Sequence, residues 1–357
     1  MKKLLALLLA AVMTASLAAC GGASSSSQAP SSEAAPSGEA SSSEAASGEA
    51  DAAGTADYEK ETIQIAALKG PTAIGMLQMM EDAQKGEAPD DYQFTLAGSA
   101  DEIVGRIVQG EFDIAAVPTN LAAVLYNRAE GRVQLGALNT LGVLYMLENG
   151  QTIQSVADLA GKTVHTISKG SVPEYVLNYV LAQNGLDPQT DLTVEYHTES
   201  TEVAALLAAG EAQVAMLPQP FVTSVLTQND QVRVALDMTE EWDKVGDGSV
   251  LTMGCIVVQK DFAQNHPEAM ARFLEAYDQS VAWVTDEANL EEAAALCESF
   301  DIMNAAVARQ AIPECNIVFI TGDEMEEKVG GFLQVLYDAD PSAVGGAMPD
   351  EAFYYKG

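Results

Sequence analysis

"DEIVGRIVQGEFDIAAVPTNLAAVL" (residues 101–125) and "TEVAALLAAGEAQVAMLPQPFVTSVL" (201–226) decide the fold when they are laid over one another. At an offset of 100, Gly110-Glu111 falls on Gly210-Glu211, Ile114-Ala115 on Val214-Ala215, and Pro118 on Pro218. The leading residues match too: Glu102 with Glu202, Ile103 with Val203, and Ile107 with Leu207. Lys69-Gly70 and Lys169-Gly170 keep the same offset. Several matches in one register make an internal repeat.

Each half reads with the same plan. In the first, "TIQIAAL" predicts a strand, Thr72 to about Lys85 a helix, "YQFTLAG" a strand and Ala100–Val108 a helix. The strand "FDIAAV", a helix from Thr119 and the strand "RVQLGAL" complete it. In the second half, "KTVHTI", "DLTVEYH", "AQVAML" and "QVRVALD" are strands, separated by helices over Pro173–Asn184, from Ser200 and from Gln219. Short apolar strands alternating with helices predict, for each half, a mostly parallel sheet covered by helices. Stretches 141–153 and 249–262 read as extended segments crossing between the halves, two hinge strands around a cleft. The C-terminal part reads as helical.

In open α/β sheets ligands sit at the carboxyl ends of the strands, where helix N-termini offer unpaired amides and partial positive charge. Four strand-to-helix corners qualify: Lys69-Gly70-Pro71-Thr72, Pro118-Thr119-Asn120, Lys169-Gly170-Ser171-Val172 and Pro218-Gln219-Pro220. Glycine permits close backbone approach there and proline fixes φ. Tyr145, near the hinge, and Tyr175, near a corner, are candidates to stack on a flat ligand. Tyr126, Phe221, Trp242 and the Met76-Met79-Met80 stripe read as core filling.

The charge balance limits the partners. Of 357 residues, 52 are Asp or Glu and 17 are Lys or Arg, a formal charge of −35. Nucleic acid and anionic lipid surfaces are therefore poor partners, whereas a small anion is not excluded, because distant charge is screened beyond roughly 8–10 Å. "MKKLLALLLAAVMTASLAAC" has the two lysines, apolar core and small residues of a secretory signal, and its end resembles a bacterial lipobox, which implies lipidation of Cys20. Gly21 to about Asp57, rich in Ser, Ala, Gly and Glu, reads as a disordered tether. The expected organisation is a signal over 1–20, a tether over 21–58, a first lobe over 59–144, a second over 145–252 and a return to the first over 253–357. Cys297 and Cys315 could pair, leaving Cys255 free, or all three could be buried thiols; an odd count defines no framework. His165, His197 and His266 lack metal-site spacing and read as structural, so no metal is expected. No HExxH, Walker A or GxSxG motif is present.

"GEFDIAAVPTNLAAVL", "SVADLAGKTVHTISKGSVPEYVLNYVLAQNGLD" and "GCIVVQKDFAQNHPEAMARFLEAY", with the lipobox and tether, resemble the solute-binding proteins of ABC importers. The resemblance covers about residues 60–340. It is narrowest to the nitrate, sulfonate, taurine and thiamine-pyrimidine-precursor binding group. It implies a two-lobed type II periplasmic-binding-protein fold, no catalysis, no cofactor, a monomer outside the cytoplasm, and delivery of a small solute to a permease and its ATPase. Its ligand loops fall at Lys69 to Thr72, Ser99, Thr119-Asn120, Gly170 to Val172 and Gln219-Pro220. Only Lys69 and Lys169 are basic at the corners, so an uncharged or zwitterionic heterocycle stands beside an oxyanion as ligand. A surface-anchored enzyme and a ligand-presenting sensory lipoprotein are the alternative roles.

Overall fold

The strands lie in an order that explains the repeat. In the computed structural model the described residues are 58–167 and 169–357; the expected signal, Cys20 and the expected tether through Asp57 lie outside them. The strands are β1 (Thr62–Leu68), β2 (Asp91–Ala97), β3 (Ile114–Pro118), β4 (Val133–Leu141), β5 (Leu144–Asn149), β6 (Thr163–Ile167), β7 (Thr193–His197), β8 (Val214–Pro218), β9 (Val232–Asp237), β10 (Thr252–Gln259) and β11 (Ile317–Ile320). One sheet runs β11-β4-β10-β3-β1-β2 and the other β7-β6-β8-β5-β9. The molecule is two-lobed, with one sheet in each lobe.

Apart from the edge strand β11, the sheets correspond strand for strand. β1 pairs in parallel with β2 and β3, as β6 does with β7 and β8. In each sheet an antiparallel strand, β10 or β5, separates that trio from β4 or β9, and in the first sheet β11 adds a second antiparallel strand at the far edge of β4. β5 is the first strand after the chain enters the second sheet, and β10 is the first after it returns. The parallel majority therefore comes from each half's own βαβ units, the antiparallel strand beside the trio from the crossing chain, and β11 from the C-terminal part. The 100-residue offset persists in the fold: Ile114 opens β3 and Val214 opens β8.

Apolar residues on both faces make these strands the middle layer of each lobe. Ile63, Ile65 and Ala67 of β1 pack with Leu77, Met80, Phe273 and Tyr277, from the helices Leu77–Lys85 and Pro267–Thr285. In the second lobe, Ile167 and Leu217 pack with Val203, Leu207 and Val225. A third cluster joins the inner faces of both sheets to the helix Gly322–Ala339. There Phe332 meets Trp242 of the second lobe at 5.3 Å between rings, and Tyr179 lies 5.2 Å from the same indole. The C-terminal helix thus reaches both lobes.

The helix expected from Thr72 is broken. A turn at Pro71–Ile74 precedes Leu77–Lys85, with Gly75 between, where a Cβ would stand 2.7 Å from the Tyr277 hydroxyl. The C-terminal part also contains a strand, β11, and a short helix at Ala305–Ala311. Cys255, Cys297 and Cys315 are free and buried. Burial pushes the Cys297 thiol up to about 12.

Polar groups on the outer walls close on one another. Asp90, fully buried at its carboxylate, takes two 2.8 Å hydrogen bonds from Arg272. Glu148 accepts from Thr152, Ile153 and Arg233. Burial acts to raise its pKa, but these bonds outweigh burial and hold it below the usual carboxylate range.

Candidate functional site

The carboxyl ends of six parallel strands converge on one cavity of about 130 Å³. Leu68, Gly98 and Pro118 follow or end β1, β2 and β3, and Ile167, Thr198 and Pro218 do the same for β6, β7 and β8; all six line it. The crossing segments supply the floor through Val143, Met253 and Gly254. Gly254 is set by space: a Cβ would lie 2.6 Å from Asn139 Oδ1 and 2.8 Å from Thr72 Cγ2. A second, outer space of about 520 Å³ shares Ser99, Ala100, Ser171 and Thr198 with the first and forms a vestibule.

Helix starts surround the cavity. The helices Asp101–Gln109, Thr119–Arg128, Val172–Gln183, Ser200–Ala208 and Phe221–Gln228, and the turn at Pro71–Ile74, all begin there. Their N-cap residues are Ala100, Pro118, Ser171, Glu199, Pro220 and Gly70, and none makes a side-chain cap. The first amides of a helix carry partial positive charge and have no partner within the helix, so these starts, except that of Phe221–Gln228 where Gln219 accepts from Thr223 N, suit negative charge in a ligand.

Two corners carry acidic side chains on their amides. Glu102 Oε1 accepts from Gly98 N at 3.0 Å and Ser99 N at 2.9 Å, and Glu174 accepts from Gly170 N. Lys69 reaches Asp301 at 2.7 Å and holds that carboxyl below its usual range. Lys169 lies 5.8 Å from the centre of the Tyr196 ring, over the vestibule.

The residues singled out in the sequence separate into three groups. Lys69, Gly70, Pro71, Thr72, Ser99, Ser171 and Val172 line the inner cavity. Lys169, Gly170 and Tyr175 line the vestibule, where burial pushes the Tyr175 phenol up. Gly70 at φ 142° and Gly170 at φ 82° hold backbone conformations that favour glycine. The remaining five line neither space. Thr119 and Asn120 are fully buried; Asn120 Nδ2 donates to Gly170 O at 3.2 Å and Ala343 O at 3.0 Å, tying the lobes together beside the cavity. Gln219 folds back to accept from Thr223 N and Oγ1 at 3.2 and 2.9 Å. Pro220 faces a separate groove with Ser224 and Met303. Tyr145 sits in β5 between Leu217 and Asp237, its phenol pushed up to about 12 by burial and then by Asp237.

Other lining residues escaped sequence reasoning: Thr140, Val143, Thr198, Ser200, Phe221, Met253 and Gly254. A signal existed for two of them. The offset of 100 carries Gly98-Ser99-Ala100 onto Thr198-Glu199-Ser200.

Comparison with known proteins agrees with this geometry. The profile of a family described as ABC transporter, phosphonate, periplasmic substrate-binding protein matches residues 92–311. No curated protein matches the chain in sequence. Among solved structures, an ABC transporter protein from Parabacteroides distasonis is 22% identical, with a TM-score of 0.68, covering 83% of this chain and 99% of that one. The periplasmic aliphatic sulphonate binding protein SsuA from Escherichia coli is 16% identical with a TM-score of 0.66, covering 84% and 93%. The alkanesulfonate-binding protein SsuA from Xanthomonas axonopodis pv. citri, bound to MOPS, is 16% identical with a TM-score of 0.62, covering 82% and 96%. At these identities the likeness is one of fold.

Proposed function

The chain belongs to the family of phosphonate ABC-transporter periplasmic substrate-binding proteins, and from that premise we propose that it captures a small zwitterionic sulfonate or phosphonate between its lobes. The observation that carries the reading is the ring of helix starts without side-chain caps around the inner cavity. A tetrahedral oxyanion takes several hydrogen bonds at once from such amides, and the Ser171 and Ser200 hydroxyls add to them, whereas the Thr72 hydroxyl donates to Leu68 O. A short carbon chain fits along Ile167, Val143, Phe221 and Met253. The amides of Gly98, Ser99 and Gly170 already hold Glu102 and Glu174, and these two carboxylates at the corners favour an ammonium group at the far end of the solute, with Lys169, Arg128 and Asp101 lining the vestibule beside them.

Calorimetric titration of the purified chain tests this with taurine, 2-aminoethylphosphonate, ethanesulfonate, ethylphosphonate, nitrate and a thiamine pyrimidine precursor. The amino-bearing oxyanions are expected to bind about tenfold tighter than their alkyl counterparts, roughly 1.4 kcal/mol. A pyrimidine binding tightest, or none of the oxyanions binding, defeats the reading.

In this role the loaded protein, acting as a monomer, docks on a membrane permease coupled to ATPase subunits, outside the cytoplasm. Lipidation of Cys20 would hold it at the membrane, with residues 21–58 as tether and the lobes spanning 59–144 with 253–357, and 145–252. Cys20→Ala is expected to move the protein from the membrane fraction to the soluble one; a variant still fully membrane-bound sinks the anchor.

A further inference from the structure

Two histidines that lie 32 residues apart in sequence meet on the second sheet. β6 and β7 pair in parallel with His165 opposite Glu195 and Ile167 opposite His197. Alternation along a strand then places His165, Glu195 and His197 on one face. This is the face covered by the helix Ser200–Ala208, since Ile167 packs there on Val203 and Leu207.

The donor atoms converge. His165 Nδ1 is 3.2 Å from His197 Nε2 and 3.5 Å from Glu195 Oε2, and one ligand atom from each residue falls within 4.8 Å of the others. Two ligands bonded at about 2.0–2.1 Å to one tetrahedral zinc ion stand roughly 3.3 Å apart. The two separations at His165 Nδ1, 3.2 and 3.5 Å, are close to that tetrahedral edge. His197 turns its other nitrogen, Nδ1, to Glu202 Oε1 at 3.0 Å. A proton held on Nδ1 by that carboxylate leaves Nε2 as a lone pair aimed at the trio, which is how carboxylates orient metal-binding histidines. The imidazoles are 15% and 14% exposed and Glu195 is 53% exposed, so the ring ligands are held by packing while one side stays open for a fourth ligand.

We propose that His165, Glu195 and His197 bind one zinc ion, with Glu202 as the positioning residue for His197. Two imidazoles and a carboxylate without sulfur suit zinc, whereas magnesium and calcium favour all-oxygen sites. The bound ion would join β6, β7 and the helix Ser200–Ala208 at the turn that carries Thr198 and Ser200 into the cavity. The site stands independently of which solute the cleft takes.

The test uses the full chain, stripped with a chelator and titrated with zinc chloride in the presence of a thousandfold excess of magnesium. One zinc per chain is expected, with an accompanying rise in Tm. His165→Gln and His197→Gln should each weaken binding at least 100-fold and abolish the Tm rise, and Glu202→Gln should weaken it about tenfold. Zinc that magnesium displaces from the wild-type chain belongs to the acidic surface and overturns the proposal, without reliance on any variant. Equal zinc affinity in a folded His165→Gln/His197→Gln double variant also overturns it, leaving the pair as an imidazole–imidazole hydrogen bond.

Discussion

Asp237 and Ser171 each stand at the start of a helix in the second lobe, and they treat it differently. Asp237 turns its carboxylate onto the amides of Thr239 at 2.8 Å and Glu240 at 3.4 Å. Ser171, at the edge of the cavity, makes no such bond, although serine is a favoured N-cap. The contrast extends beyond this pair. Asp286, Asn304, Asp340 and Asp350 cap their own turns away from the cavity. Of the six starts around the cavity, Gly70, Ala100, Pro118 and Pro220 have no side-chain oxygen with which to cap. Not every outer start is capped, as Thr321 and His266 show. Gln219 already holds the Thr223 amide at one of the cleft starts; the others form a set that a bound ligand would complete. Stability is concentrated in the walls and binding capacity at the seam, so substitutions in the two regions should separate the two properties.

The largest effect is expected on the wall. Arg272→Met leaves the fully buried Asp90 carboxylate without its double hydrogen bond. Removing one partner of a buried ion pair typically costs about 3–5 kcal/mol. Denaturant unfolding should show that loss, while solute Kd at a temperature where the variant stays folded is unchanged. A Kd that weakens in step with stability breaks the separation.

At the seam, Gly170→Val should act the other way. Gly170 sits at φ 82°, and no atom lies within 4 Å of an added Cβ, so the obstacle is the backbone conformation and not crowding. A β-branched residue resists that conformation and turns the following Ser171 amide away from the cavity. Solute affinity should fall more than tenfold, roughly 1.4 kcal/mol or more, with the circular dichroism spectrum retained. Wild-type affinity in a folded variant would remove this corner from the site.

The strand ends behind these predictions were legible because the repeat has punctuation. Pro118 and Pro218, and the two Lys-Gly turns, mark corners in register, and apolar runs of strand length precede each one. The corner after β7 has no such mark in "YHTESTE", so Thr198 and Ser200 read there as an ordinary helix start, although Gly98-Ser99 stands at the matching corner after β2. Side-chain direction at a corner was not legible either. Asn120 and Gln219 follow their prolines as site residues would, yet one bridges Gly170 to Ala343 and the other closes on Thr223. Those partners lie on other elements or are chosen by packing, which no local pattern records. β11 was missed for a related reason. The four-residue run "IVFI" does not distinguish strand from helix, and its pairing partner β4 lies far back in the chain.

Ser171→Ala tests the seam more gently. It removes one hydroxyl from the inner cavity and no cap from the helix. Affinity for the solute should drop about tenfold, in line with a lost hydrogen bond of about 1–2 kcal/mol, while Tm without ligand stays within a degree or so. A fall in Tm with unchanged Kd would make Ser171 a structural residue.

Asp237→Ala is its mirror and carries the smallest expected effect. The carboxylate holds two amides of the helix Met238–Asp243, whose Trp242 packs between Tyr179 and Phe332. Losing an N-cap of this kind costs about 1 kcal/mol. The cap lies outside the cavity lining, and the helix it starts is anchored by a buried indole, so the loss should stay local. Chemical denaturation should report the full cost, and calorimetry should return the wild-type Kd. The two alanine variants then form a crossed pair, one losing affinity without stability and the other stability without affinity. If Asp237→Ala also weakens binding, the helix Met238–Asp243 transmits strain to the crossing segment, which it touches where Thr239 packs on Gly142. The wall and the seam would then be one mechanical unit, and the distinction between their helix starts would describe chemistry alone.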